Sequence, residues 1–267
     1  VTAALCELQA TGTQFPILPG TSPGDLYRCL DSLYREQRRW DPNDYLASHA
    51  ERKPLDHHLR TFTWYSRYLP ANGTILDWGC CHGPDSCMIR AVYGDRFQLH
   101  GCDFYDADRF SIFRDFSGIE YRRLDDVVVL PYESQTFDVV VASGVLEHAA
   151  MDYESLKEVY RVTRRDGLLI LTYLPNWLSI DEWFRRHVSQ RGCHRRLYGL
   201  TKISGLLKQT GFYPEVDAYQ SFFWQKRFEK LGNLRVQRLL MQRLVPWLPK
   251  NFLCSTLLVV ARKVFSM

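Results

Sequence analysis

The sequence predicts an α/β protein: a Rossmann-like, doubly wound seven-stranded sheet, mostly parallel with one antiparallel edge strand, plus a helical cap and insertions. Three observations predict it. From residue 74 onward, short apolar runs alternate with stretches of helical period, the rhythm of right-handed βαβ crossovers. Phe137–Ala142 (FDVVVA) is an almost continuous apolar run, as expected of a parallel strand covered on both faces. A small-residue turn, Gly79-Cys80-Cys81-His82-Gly83, joins a strand ending near Asp77 to a helix opening at Pro84.

Residues 1–23, rich in Thr, Pro and Gly, read as an irregular arm ending at a helix start, Ser22-Pro23. Leu26, Leu30, Leu33 and Tyr34 follow at helical spacing, and a second helix runs from about Ala50 to Tyr68, stopped by Leu69-Pro70. Thr74–Trp78 is the first strand, Pro84–Tyr93 a helix closed near Gly94, and Gln98–Cys102 the second strand. A helix is expected over Asp106–Phe116, opened by Asp106 and Asp108, then a weak third strand over Ile119–Arg122. Phe137–Ala142 is the fourth strand. Leu156, Val159, Tyr160 and Thr163 line one helix face, and Asp166-Gly167 turns the chain into a fifth strand, Leu168–Tyr173. Thr201 caps a helix with Ile203, Leu206 and Leu207 inward and Gly211 at its end. Phe212–Tyr219 and Phe252–Ala261 are the last two strands, joined as an antiparallel hairpin at the sheet edge, with a basic helical stretch, Gln225–Leu244, between them. The organisation expected is an arm with cap helices (1–69), a ligand-binding core (70–175) and a C-terminal half of the sheet (176–267) with a lid (176–200) and a basic helical insertion (222–251).

Composition narrows the class. With 46% hydrophobic and 24% charged residues, the 267-residue chain suits a packed domain and argues against disorder. The net charge of +4 neither requires nor excludes a nucleic-acid partner. Eight scattered cysteines, Cys6, Cys29, Cys80, Cys81, Cys87, Cys102, Cys193 and Cys254, point to reduced thiols in the cytoplasm. The longest apolar runs, such as Leu168–Leu171 and Leu257–Ala261, are too short to span a bilayer, and the first twenty residues lack the pattern of a secretory signal.

The turn after Asp77 carries the functional signal. In an open parallel sheet, ligands lie beyond the carboxyl ends of the strands, where glycines admit the backbone and a helix N-terminus favours an anionic group. Asp103, twenty residues past Gly83 and just after the second strand, is an acid suited to both hydroxyls of a ribose. Nucleotide, dinucleotide and flavin folds share these two features. Further spacing separates them: Asp126 stands four residues before Leu130-Pro131, Phe137-Asp138-Val139-Val140 follows, and Ser143-Gly144-Val145-Leu146-Glu147-His148 closes the fourth strand.

With these motifs the sequence resembles the class I S-adenosylmethionine-dependent methyltransferases, in the type 11 branch that includes quinone-biosynthesis and many natural-product enzymes. That family shows Asp-x-Gly-Cys-Gly-x-Gly, an acid ending the second strand, Asp-x-x-x-Leu-Pro-Phe/Tyr, Phe-Asp-x-Val and Leu-Glu-His in this order. The resemblance runs over about residues 74–175 and returns in the Thr201–Phe212 helix and the final strand. It implies an enzyme with S-adenosyl-L-methionine as cofactor. Asp77, Gly79, Cys81 and Gly83 would surround its methionine portion, Asp103 hold the ribose, Phe104 cover the adenine, and Asp126 or its neighbour Asp125 receive the adenine amino group. Ser143, ending the fourth strand, joins the cofactor set. The family's middle glycine is Cys81 here, whose side chain either fits a less demanding backbone angle or narrows the methionine pocket.

The expected reaction is methyl transfer to a small-molecule or glycan-type acceptor, at oxygen, with His148 as general base. Glu147 is expected to orient the loop or cofactor, and Tyr173 to line the acceptor pocket or the core. The alternatives are an RNA methyltransferase and a cofactor-binding, inactive relative. No metal is expected: Cys80, Cys81 and His82 are adjacent on one turn and cannot converge on one ion, so Cys80, Cys81, Cys87 and Cys102 read as small buried thiols. In residues 176–200, Trp177, Trp183, Phe184, Arg185, Arg186, Arg191, Arg195, Arg196 and Tyr198 interleave aromatic and basic groups. They read as a lid with solvated charge, against a grip on an acidic acceptor or on RNA. The stretch with Lys226, Arg227, Lys230, Arg235, Arg238, Arg243 and Lys250 reads as an insertion packed on the domain, against a peripheral membrane contact serving a lipid-linked acceptor.

Overall fold

Ser22 opens the first helix, α1 (Pro23–Trp40), through a capping box in which its hydroxyl and the Asp25 carboxylate satisfy each other's backbone amides. A computed structural model describes residues 22–41, 44–189, 194–222 and 249–264; the arm before Ser22, Cys6, Cys193, Arg191 and the basic stretch 223–248 lie outside the described residues. After α1 come α2 (Asp44–His49) and α3 (Arg52–Ser66), so the helix expected from about Ala50 is preceded by a short separate one.

The repeating part follows as β1 (Gly73–Trp78), α4 (Pro84–Tyr93), β2 (Phe97–Asp103), α5 (Ser111–Ser117), β3 (Glu120–Arg123), β4 (Phe137–Ser143), α6 (Asp152–Val162) and β5 (Thr163–Pro175). It closes with α7 (Ile180–Phe184), α8 (Leu200–Gln209), β6 (Phe212–Phe222), α9 (Lys250–Leu253) and β7 (Cys254–Lys263). Two expectations move. The helix expected from Asp106 begins at Ser111, because Arg114 takes the carbonyls of Asp106 and Ala107 that a helix would need, while the Asp106 carboxylate pairs with Arg123 at 3.2 Å. The fifth strand begins five residues early, because Thr163 pairs with Phe137 before residues 164–167 loop out around Asp166, at φ +59°.

The seven strands lie in the order β3-β2-β1-β4-β5-β7-β6. β1 pairs in parallel with both β2 and β4, so the winding reverses between β1 and β4. That reversal is the topological switch point, and it leaves a crevice beyond the strands' carboxyl ends. β7 runs against both its neighbours, β5 and β6, and enters between them, which makes β6 the outermost strand.

The β4 run explains the layering. Val139 and Val141 face one core with Leu26, Leu30, Phe62, Met88 and Phe113; Val140 faces the other with Leu156, Val159, Ile203 and Leu207. Alternate residues point to opposite faces, so a run buried on both sides must be apolar throughout. α1, α3, α4 and α5 cover the first face, and α6 and α8 the second.

Candidate functional site

A cavity of about 700 Å³ opens at the switch point, lined by Asp77, Gly79 and Cys81 after β1 and by Ser143, Gly144, Glu147 and His148 after β4. The turn after β1 is tied to β2: the amides of Gly79 and Cys80 both donate to the Cys102 carbonyl, at 2.8 and 3.2 Å. Gly79 sits at φ +67°, and a Cβ there would lie 2.6 Å from Val145 Cγ2, so glycine is required twice over. Gly83, at φ +78°, is the N-cap of α4. Cys81 keeps the demanding left-handed angle, φ +49°, and its Sγ reaches the Tyr45 hydroxyl at 3.5 Å. Of the two readings of Cys81, the structure takes the second: the angle is not relaxed, and the side chain occupies cavity wall.

Asp77 is buried, its Oδ2 accepting from the Ser86 hydroxyl at 2.6 Å. Burial, together with the nearby Asp85, pushes its pKa up to about 8. Asp103 lies one step behind the cavity wall: Oδ2 accepts from the Cys81 amide at 2.8 Å and Oδ1 from the Phe104 amide at 2.6 Å. Burial raises its pKa. Phe104 is half exposed beside it. Asp125 and Asp126 sit outside the cavity lining, in the exposed loop after β3, where Asp126 Oδ1 accepts the amides of Val128 and Val129. The loop is anchored at Asp103 by the Leu124 amide, 2.8 Å from the Asp103 carbonyl.

The rest of the cavity lining is assembled from distant segments. Tyr45 and His49 of α2 and His57, His58 and Trp64 of α3 contribute, with Tyr173 of β5, Glu182 of α7, His194, and Tyr219 and Thr256 of the last two strands. Tyr173 holds φ +60° inside the irregular end of β5, and its hydroxyl meets His58 Nδ1 at 3.2 Å. Left-handed backbone at a non-glycine strand position is strain, and strain of this kind concentrates where ligands bind. Ser143 accepts from the Thr172 hydroxyl at 2.9 Å. His148 stands exposed in the turn after β4, its amide on the Val145 carbonyl at 2.9 Å. Burial of part of the ring, then His194 and Arg195, lower its pKa. Glu147 is only 2% exposed, and burial lifts its pKa to about 7.

Residues 76–171 match the family described as "Methyltransferase domain", type 11. The chain carries a class I methyltransferase domain of that branch. The domain's fold recurs in solved structures of low identity: the YcgJ protein from Bacillus subtilis aligns at TM-score 0.55 and 14% identity, covering 79% of this chain and 100% of that one. A chain of the Haloferax volcanii complex between the Trm112 methyltransferase activator and a methyltransferase aligns at 0.59 and 12%, covering 88% and 97%. Phosphoethanolamine N-methyltransferase 2 from Haemonchus contortus, in complex with S-adenosyl-L-methionine, aligns at 0.56 and 18%, covering 77% and 52%. No curated protein matches the chain in sequence.

The methyltransferase is thus an enzyme whose cofactor is S-adenosyl-L-methionine, and the residues present suit that group. Gly79 lines the cavity, and the Asp103 carboxylate, although backbone amides engage it, keeps lone pairs for a ribose hydroxyl. Several cavity residues of the methyltransferase escaped the sequence reading. Asp85 sits next to Asp77 and accepts from the Tyr65 hydroxyl. His82, which the sequence showed only as part of the turn, is buried, with its Nε2 at 2.6 Å from the Tyr34 hydroxyl. The His57-His58 doublet on an amphipathic helix was the available signal for the α3 histidines; for His194 there was none beyond its basic, aromatic surroundings.

Proposed function

We propose that this methyltransferase acts on a small-molecule or glycan-type acceptor, at oxygen, inside the cavity, with His148 taking the acceptor's proton. The observation that carries this reading is that Asp77, Gly79, Cys81 and His148 line one chamber together with side chains of α2 and α3. When bound, S-adenosylmethionine supplies a methyl group already activated on a sulfonium. Asp103 is then the ribose residue, and the tethered loop brings Asp125 and Asp126 to the adenine side. His148 receives the hydroxyl proton, while the α2 and α3 side chains exclude water and hold the acceptor in line.

A small acceptor is also supported by how the lid segment uses its charge. Arg185 pairs with Asp181 at 2.6 Å, Arg186 with Glu182 at 3.4 Å and Arg196 with Asp152 at 3.4 Å, so these guanidinium groups are engaged within the chain rather than offered to a phosphate backbone. Cys29, Cys80, Cys81, Cys87, Cys102 and Cys254 are free thiols, in keeping with a reducing cytoplasm. Among the described residues, no helix is long and apolar enough to cross a membrane.

Labelled donor offered with metabolite, glycan, lipid-linked and RNA pools tests the acceptor class; label appearing in RNA alone overturns it. With the acceptor in hand, His148→Ala is expected to lower turnover by roughly 10²–10⁴ at unchanged cofactor affinity. Unchanged turnover removes His148 from the reaction.

A further inference from the structure

We propose that Glu147, His148 and His194 form a binding site for a divalent transition-metal ion of the zinc type at the acceptor end of the cavity. One ligand atom from each of the three residues lies within 4.8 Å of the other two. The rings of His148 and His194 have their centroids 5.9 Å apart. Two imidazoles and one carboxylate are a donor set for zinc, iron or cobalt rather than for magnesium or calcium, which take oxygen alone.

A second observation points to a ligand. Glu147 is nearly fully buried, and its Oε2 has no hydrogen-bond partner. Buried carboxylate oxygens are costly unless something satisfies them, and a cation in the cavity that Glu147 lines would do so. The shell behind the three residues fits as well. Glu182, 1% exposed, places Oε2 3.5 Å from His194 Nδ1. A carboxylate close to one ring nitrogen is the kind of neighbour that commonly supports ligating histidines. Glu182 is in turn 3.4 Å from Arg186 Nε.

Three protein ligands leave a coordination position open, and here it faces the chamber. This inference rests on the reading of that chamber as the acceptor's. A hydroxyl at the open position is acidified by the ion and releases its proton to solvent, the task the free His148 imidazole performs when no ion is bound. The ion also joins the turn after β4 to the segment before α8.

The test uses the full-length protein stripped with a chelator, then titrated with Co²⁺ and Zn²⁺, with S-adenosylmethionine affinity measured in parallel by calorimetry. One equivalent of Co²⁺ should bind with the visible bands of a low-coordinate nitrogen–oxygen site, and Zn²⁺ should displace it and raise Tm. His194→Ala is expected to weaken Co²⁺ binding about 100-fold or more and Glu182→Gln by roughly 10–100-fold, both with cofactor affinity retained, and Glu147→Gln should weaken Co²⁺ binding as much as His194→Ala. Retained cofactor affinity shows that a variant is folded. Wild-type protein that binds cofactor but no stoichiometric Co²⁺ overturns the metal site and leaves the methyltransferase reading intact; so does Co²⁺ binding indifferent to both ligand substitutions. Wild-type protein that binds Co²⁺ but no cofactor has the opposite meaning, sinking the chamber reading and leaving the ion site.

Discussion

The Cys81 amide donates to Asp103 Oδ2 at 2.8 Å, and through that bond the turn after β1 and the acid ending β2 become one rigid corner of the cavity. The bond uses the Cys81 backbone amide, so it is sensitive to the side chain at 103 rather than to the one at 81. Asp103→Asn replaces an accepting oxygen with an NH₂ that must face the Cys81 or the Phe104 amide, donor against donor. Cofactor affinity should fall at least about tenfold, or ~1.4 kcal/mol, by calorimetry. An unchanged affinity would take Asp103 out of the ribose site.

Cys81 sits at φ +49°, an angle that glycine adopts freely and a side chain does not. Cys81→Gly should therefore raise stability by about 1 kcal/mol, seen as a Tm increase of roughly 2–4 °C for a domain of this size. It also removes the Sγ contact with Tyr45 and widens the cavity there. A lower Tm would mean that the Cys81–Tyr45 contact outweighs the backbone strain.

Gly79 combines a left-handed backbone with a packed neighbour, so Gly79→Ala should cost about 2–4 kcal/mol in denaturant titration. In the Gly79→Ala background, Val145→Ala removes the crowding and should recover part of that loss. The backbone part should stay. Full recovery would show that φ at this position is not strained for alanine.

Asp77 makes stability depend on pH in a direction opposite to that of a surface carboxylate. At low pH both folded and unfolded chains hold its proton. Above its ordinary 3.8 the unfolded chain ionises while the folded one, with a pKa of about 8, does not. Unfolding then releases a proton, so its contribution destabilises the fold increasingly from pH 4 up to about 8 and levels off beyond. Without cofactor, Asp77→Asn should match the wild type near pH 4 and exceed it in Tm at pH 7. A constant difference across that range, or a less stable variant at pH 7, contradicts the assignment.

The parallel core was legible because its signals are local. An apolar run such as Phe137–Ala142 declares burial on both faces, and a glycine turn between a strand and a helix declares a backbone that something approaches. The helix expected at Asp106 shows the limit. Side-chain type and period favoured it, but Arg114, eight residues further on, claims the carbonyls. The position of β7, inside the sheet with β6 at its edge, was likewise hidden, since a hairpin's sequence does not state which of its strands meets β5.

By itself, then, the sequence determined the Rossmann-like class, the corner at Asp77–Gly83 and the acid at Asp103, because each depends on residues close together along the chain. The tertiary structure decided the acceptor end. His58 meets Tyr173, and His194 approaches Glu147 and His148, only because helices, strand ends and a loop from separate parts of the chain pack around one crevice. Which side chains face each other there follows from how those elements are wound and bent. No period or spacing in the sequence records it.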